Sequence, residues 1–92
     1  MRASEKLDKA KEKLLEVIGG IDARVGDDES QALMNSQHAW ENYSVEQAEA
    51  ASASYRQGSI YPLIYLSELE SLTLERTARL QAELDELIRL GN

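Results

Sequence analysis

The sequence contains no cysteine, so neither a disulfide nor a thiolate-bound metal can hold it together. It also lacks phenylalanine, and its aromatic residues are Trp40 and the tyrosines Tyr43, Tyr55, Tyr61 and Tyr65. A chain of 92 residues without a staple must draw its stability from helix packing or from self-association. No apolar run approaches the roughly 18 residues that would cross a bilayer, which argues against membrane insertion. Missing cysteines fit a reducing compartment without requiring one. The opening Met1-Arg2-Ala3-Ser4-Glu5-Lys6 leads into charged helix and not into an apolar leader core. A cytoplasmic protein and an exported one stripped of its leader both fit.

Positive charge is also missing from the middle of the chain. Every lysine lies at or before position 13 (Lys6, Lys9, Lys11, Lys13). Residues 26–55 hold the acids Asp27, Asp28, Glu29, Glu41, Glu46 and Glu49 with no lysine or arginine, in a chain of net charge −7. Such a surface repels phosphate backbones and anionic headgroups, so nucleic acid is a poor partner. A cationic protein is a better one, although acidic surfaces also serve solubility alone.

The residues that carry chemistry are sparse. His38 is the only imidazole, and with Glu41 three residues on it falls short of a zinc constellation. A nucleophile would need a base and an orienter that the sequence does not supply. No glycine-rich loop is set to cradle a phosphate. The expectation is therefore no enzyme, no cofactor and no metal.

What remains is rich in Ala, Leu, Glu and Ser, which favours helix. Three helical rhythms predict an all-α fold, a single domain over residues 1–92. Its form is an antiparallel three-helix bundle with helices at about 4–22, 28–57 and 60–90. The first stripe is Leu7, Ala10, Leu14, Val17 and Ile21, widened by Leu15 and Ile18, with Ser4 as the cap. The second opens with Asp28 and Gln31 at capping-box spacing, then follows Leu33, Ser36, Trp40, Tyr43, Gln47, Ala50 and Ser54. From Ala48 to Ser54 nearly every residue is Ala or Ser, small enough for a neighbouring helix to approach closely. Gly58 falls just past this helix, and Pro62 lies in the first turn of the third, where its missing N–H costs little. The third stripe runs through Leu63, Leu66, Leu69, Thr73, Arg76, Leu80, Leu87 and Leu90. Leu14, Ile18, Leu33, Trp40, Tyr43, Leu66, Leu69 and Leu80 are the expected core. Arg76, alone among apolar neighbours, is expected to pair with a carboxylate of the second helix. The two longer helices form a hairpin that outreaches the first, leaving apolar ends that a second copy could cover as a homodimer.

Three stretches carry a family resemblance. Ser36-Gln37-His38-Ala39-Trp40-Glu41-Asn42-Tyr43 is similar to an "AQRAW-x-x-Y" helix. Gly58-Ser59-Ile60-Tyr61-Pro62-Leu63-Ile64-Tyr65 is similar to a "GGSI-x-P-x-x-Y" turn, and Leu72-Thr73-Leu74-Glu75-Arg76 to an "LT-x-x-R" stretch. In this order, behind Leu7, Leu14 and Leu15, they resemble the LprI-type lysozyme-inhibitor N-terminal domain of bacteria. The family's cysteine pair corresponds to Ala48 and Glu68 here. Its Arg-Asp pair corresponds to Ser44-Val45, and a first-helix tyrosine to Lys11. The resemblance implies a helical scaffold with Trp40, Tyr43, Gly58, Pro62, Thr73 and Arg76 as structural positions, and a periplasmic or secreted setting. It further implies inhibition of a cationic lysozyme-type muramidase. In that reading Ser59, Ile60 and Tyr61 make contact while Asp27, Asp28, Glu29, Glu41, Glu46 and Glu49 steer the enzyme in. A structural or self-associating module with an unknown partner is the competing reading.

Overall fold

A computed structural model describes residues 2–91. Three helices follow in order: α1 (Ala3–Asp22), α2 (Asp27–Ser52) and α3 (Tyr61–Arg89), with a single 3₁₀ turn at Ala53–Tyr55. No strand occurs among the described residues. The fold is the all-α three-helix bundle that the sequence implies. The chain runs up, down and up, so α2 is antiparallel to both neighbours. Its Cα trace measures 51 × 26 × 14 Å.

α3 is the axis of the assembly. Both α1 and α2 pack against it, and they meet each other's backbone far less. The central cluster is Leu14, Val17, Ile18 and Ile21 of α1 with Leu80 of α3, flanked by Leu33, Trp40, Leu84 and Leu87. α1 approaches α3 so closely that a Cβ added to Gly20 would sit 2.9 Å from Leu84 Cδ2. Gly20 therefore serves the approach and not a helix end, and α1 runs unbroken through Gly19 and Gly20.

Several local expectations change. Arg2 and not Ser4 precedes the first turn of α1, and it offers no side-chain cap. α2 begins one residue early, and its box is built on Gly26 and not Asp28. The Glu29 carboxylate accepts the Gly26 N–H at 3.3 Å, and a glycine has no side chain to return the bond. α2 also ends at Ser52, short of residue 57, where the helix tightens into the 3₁₀ turn. Gly58 consequently lies well past the helix. Its φ is not positive, so it is no left-handed cap.

The largest correction concerns which face of α2 is inside. Gln37, Ser44, Ala48 and Ser52 are buried, whereas Tyr43 is 54 % exposed. From Tyr43 onward the buried stripe is rotated by one residue from the one that large side chains suggest. The cause is close packing: Ala48 and Ser52 are fully enclosed, as only small residues could be at this spacing. Their polar neighbours are satisfied locally. Ser44 Oγ donates to the Glu41 carbonyl, Ser52 Oγ to Ala48, Thr73 Oγ1 to Leu69 and Thr77 Oγ1 to Thr73. Each hydroxyl folds onto its own preceding turn, and among the described residues no buried side-chain polar atom is left without a partner. Leu14, Ile18 and Leu80 are buried as expected, while Leu33, Trp40, Leu66 and Leu69 are half-buried. Leu15, Leu63 and Leu90 point outward.

Leu80→Ala should cost about 2–5 kcal/mol in denaturant unfolding, as cavity-forming core truncations do. Tyr43→Ala should stay within about 0.5 kcal/mol, as surface changes do.

Candidate functional site

The turn joining α2 to α3 is built by short-range geometry. Gly58 N–H donates to the Tyr55 carbonyl at 2.9 Å, and Tyr61 N–H to the Gly58 carbonyl at 3.3 Å. α3 then starts at Tyr61 with Pro62 in its first turn. One carboxylate closes the loop: Glu49 Oε2 on α2 accepts the Tyr61 hydroxyl at 3.2 Å and Arg56 Nη2 at 3.3 Å. The Tyr61 and Tyr65 rings stand 6.3 Å apart, and with Glu49, Pro62 and Leu66 they line a cleft of about 380 Å³. Outside this braced frame stand Tyr55, Ile60 and Leu63, 44, 46 and 50 % exposed, with Ser59 exposed beside them.

The residues singled out from the sequence thus divide. Ser59 and Ile60 are at the tip and open to solvent, whereas Tyr61 is half-buried with its hydroxyl occupied. Glu49 is a brace of the turn as well as an acid of α2. The other acids do not gather there. Asp27, Asp28 and Glu29 form the first turn of α2, at the opposite pole of the molecule, roughly 30 Å from Glu49 along the helix. Glu41 stands midway, paired loosely with exposed His38 at 3.6 Å, and exposed Glu46 lies towards the tip. Tyr55 and Leu63 were missed from the sequence. Leu63 continues the α3 rhythm, and only the end of α2 at Ser52 reveals that nothing covers it.

Arg76 departs from its expected partner. Its Nε donates to Gln37 Oε1 at 3.1 Å and its Nη2 to Ser36 Oγ at 3.0 Å, so α2 offers it an amide and a hydroxyl and not a carboxylate. Burial pulls its guanidinium below the ordinary value, opposed by the nearby Glu83 charge and assisted by Arg79. It lines an apolar cleft of about 480 Å³ with Ile21, Val25, Leu33, Leu80 and Leu87. A second cleft of about 320 Å³ separates α1 from α2, and Lys11, Ser44 and Val45 line it together. Among the described residues no group of three His, Cys, Asp or Glu could hold a metal ion, and no helix is long and apolar enough to cross a membrane.

Residues 1–80 match the family model described as "Lysozyme inhibitor LprI". Neither a curated protein nor a solved structure matches.

Arg76→Ala would leave the buried Gln37 carbonyl without its donor, and the loss should be about 1–3 kcal/mol. Thermal unfolding of Arg76→Ala beside Arg76→Lys checks this. Tyr61→Phe should cost less, about 1 kcal/mol, because its partner Glu49 is partly solvated.

Proposed function

The chain belongs to the lysozyme inhibitor LprI family, a family of inhibitors and not of catalysts, and on that premise we propose that it inhibits a cationic lysozyme-type muramidase through the α2–α3 tip. The observation that carries the tip assignment is the exposed apolar trio Tyr55, Ile60 and Leu63 on a frame tied by Glu49, Arg56 and Tyr61. An apolar group displayed on a pre-ordered turn binds without the ordering cost of a loose loop, about 0.5–1.5 kcal/mol per immobilised side chain. Ile60 and Leu63 are the anchors in this reading, and Ser59 contributes at their edge. Tyr61 acts one step back, holding the turn in place.

The acids have a different part. Spread from Asp27, Asp28 and Glu29 through Glu41 and Glu46 to Glu49, with an acid-free stretch between Glu29 and Glu41, they leave α2 negative at both ends and without any lysine or arginine. A field of that length draws in a cationic enzyme from beyond contact distance. Steering of this kind weakens as salt shortens the screening length to about 10 Å at 0.1 M.

Lysis of bacterial cell-wall substrate by a cationic lysozyme, with this protein added, tests the proposal. Activity should fall with added protein, and the association rate should drop as salt is raised. Ile60→Asp combined with Leu63→Asp should abolish inhibition while leaving the melting temperature unchanged. Neutralising any single acid should cost about 1 kcal/mol or less, because each is exposed. Full lysozyme activity at a large molar excess of the intact protein in low salt would end the inhibitor reading for this chain.

A further inference from the structure

The cleft at the α2–α3 tip joins three kinds of wall. Pro62 and Leu66 are apolar, Tyr61 and Tyr65 bring two aromatic rings, and Glu49 is its only charged lining residue. That carboxylate has an oxygen to spare. Oε2 takes both the Tyr61 hydroxyl and Arg56, and among the described residues Oε1 accepts no hydrogen bond. Arg56 is held loosely, at 3.3 Å and with 58 % of its side chain exposed. An exposed pair of this kind is weak, so another cation can displace it, and the Tyr61 hydroxyl keeps the turn tied meanwhile. No other base of the chain competes for the place. Arg56 is the only lysine or arginine among residues 26–75, which hold nine acids. The lysines of α1 line other clefts, Lys6, Lys9 and Lys13 beside Glu70 and Lys11 beside Trp40.

We propose that this cleft receives a lysine or arginine side chain of the protein partner, and that Arg56 is the place-holder it displaces. The apolar stem lies along Pro62 and Leu66, the cation meets the two tyrosine rings, and its N–H groups donate to Glu49. A long basic side chain carries the same two parts, an apolar stem and a charged head. The ring centroids are 6.3 Å apart, so a cation seated between them lies within the roughly 6 Å over which cation–π attraction acts on both. An anionic group would meet the Glu49 carboxylate instead and be repelled. A purely apolar group would cover that carboxylate without giving it a donor, which costs free energy. The inference rests on the inhibitor reading for the identity of the partner, and on the cleft itself for the chemistry.

Titration of the full chain with n-butylammonium, the lysine side chain alone, tests the cleft through the NMR signals of the tyrosine rings, with n-butanol as the uncharged control. The Tyr61 and Tyr65 resonances should move saturably with the ammonium and not with the alcohol. Arg56→Ala should tighten this binding about threefold, because an exposed competitor is removed. Glu49→Gln keeps an acceptor for the Tyr61 hydroxyl and should abolish it. In complex with a cationic lysozyme, Arg56→Ala should slow dissociation about threefold and Tyr65→Leu should speed it about fivefold. Melting temperatures confirm that each variant is folded. A titration without shifts, an equal response to the alcohol, or an Arg56→Ala that weakens binding, as loss of a brace would, overturns the proposal. So does a cell-wall saccharide that moves the rings where the ammonium does not. Inhibition indifferent to Tyr65→Leu and Glu49→Gln sinks the cleft and leaves the inhibitor reading standing. Saturable ammonium binding beside an uninhibited lysozyme does the reverse.

Discussion

The bundle depends on one apolar contact. α1 is held to α3 by Leu14, Val17, Ile18 and Ile21 closing over Leu80, with Gly20 drawn in against Leu84. Among the described residues no side-chain hydrogen bond or ion pair joins these two helices. Without a disulfide, the hydrophobic effect holds α1 to α3, and the Ser30 hydroxyl donating to Asp22 ties its end to α2. Burying Leu80 to 2 % exposure is worth about 1.5–3 kcal/mol, a sizeable part of what so small a chain can hold. Because α3 must present one face to α1 and another to α2, it carries the longest continuous helix and has little surface left for function. The displayed residues are pushed to the tip and to the open cleft.

Much of this was legible in the sequence, and the reason is side-chain size. In α1 the inward positions are large and aliphatic, so the rhythm of Leu7, Leu14, Val17 and Ile21 gives both the helix and its buried face. In α2 the inward positions are Gln37, Ser44, Ala48 and Ser52, and the large residues nearby, Tyr43 and Val45, face water. Hydropathy then points the wrong way by one residue, because the seam selects for smallness and not for greasiness. The hydroxyls that make this possible hide their polarity in bonds to their own backbone, and those bonds leave no trace in composition.

The tip was partly legible for a similar reason. Pro62 and the residues before it mark a turn whatever the tertiary structure, so Ser59 and Ile60 could be placed there. That Glu49 reaches back to tie Arg56 and Tyr61 depends on where α2 stops, and the tightening of Ala53–Tyr55 into a 3₁₀ turn has no glycine or proline within it to announce it. Arg76 carries the same lesson. An arginine among leucines suggests a buried ion pair, yet the neutral pair Gln37 and Ser36 satisfies two of its nitrogens without the desolvation of a second charge.

The inward-folded hydroxyls of the α2–α3 seam have a mechanical consequence. Where Ser44, Ala48 and Ser52 of α2 and Thr73 and Thr77 of α3 lie, the side chains are small and each hydroxyl is satisfied on its own helix, so this stretch offers little resistance to sliding along the helix axis. A slip of one turn, about 5.4 Å, would bring similar small residues into similar places. Among the described residues, the polar links that cross from α2 to α3 are Glu49 to Tyr61 at one end and Ser36 and Gln37 to Arg76 further along. Fifteen residues of α3 separate them, about 22 Å. The small-residue stretch is thus a low-friction rail, and its register is set by the two pins together with Leu33 and Trp40 packed against the core.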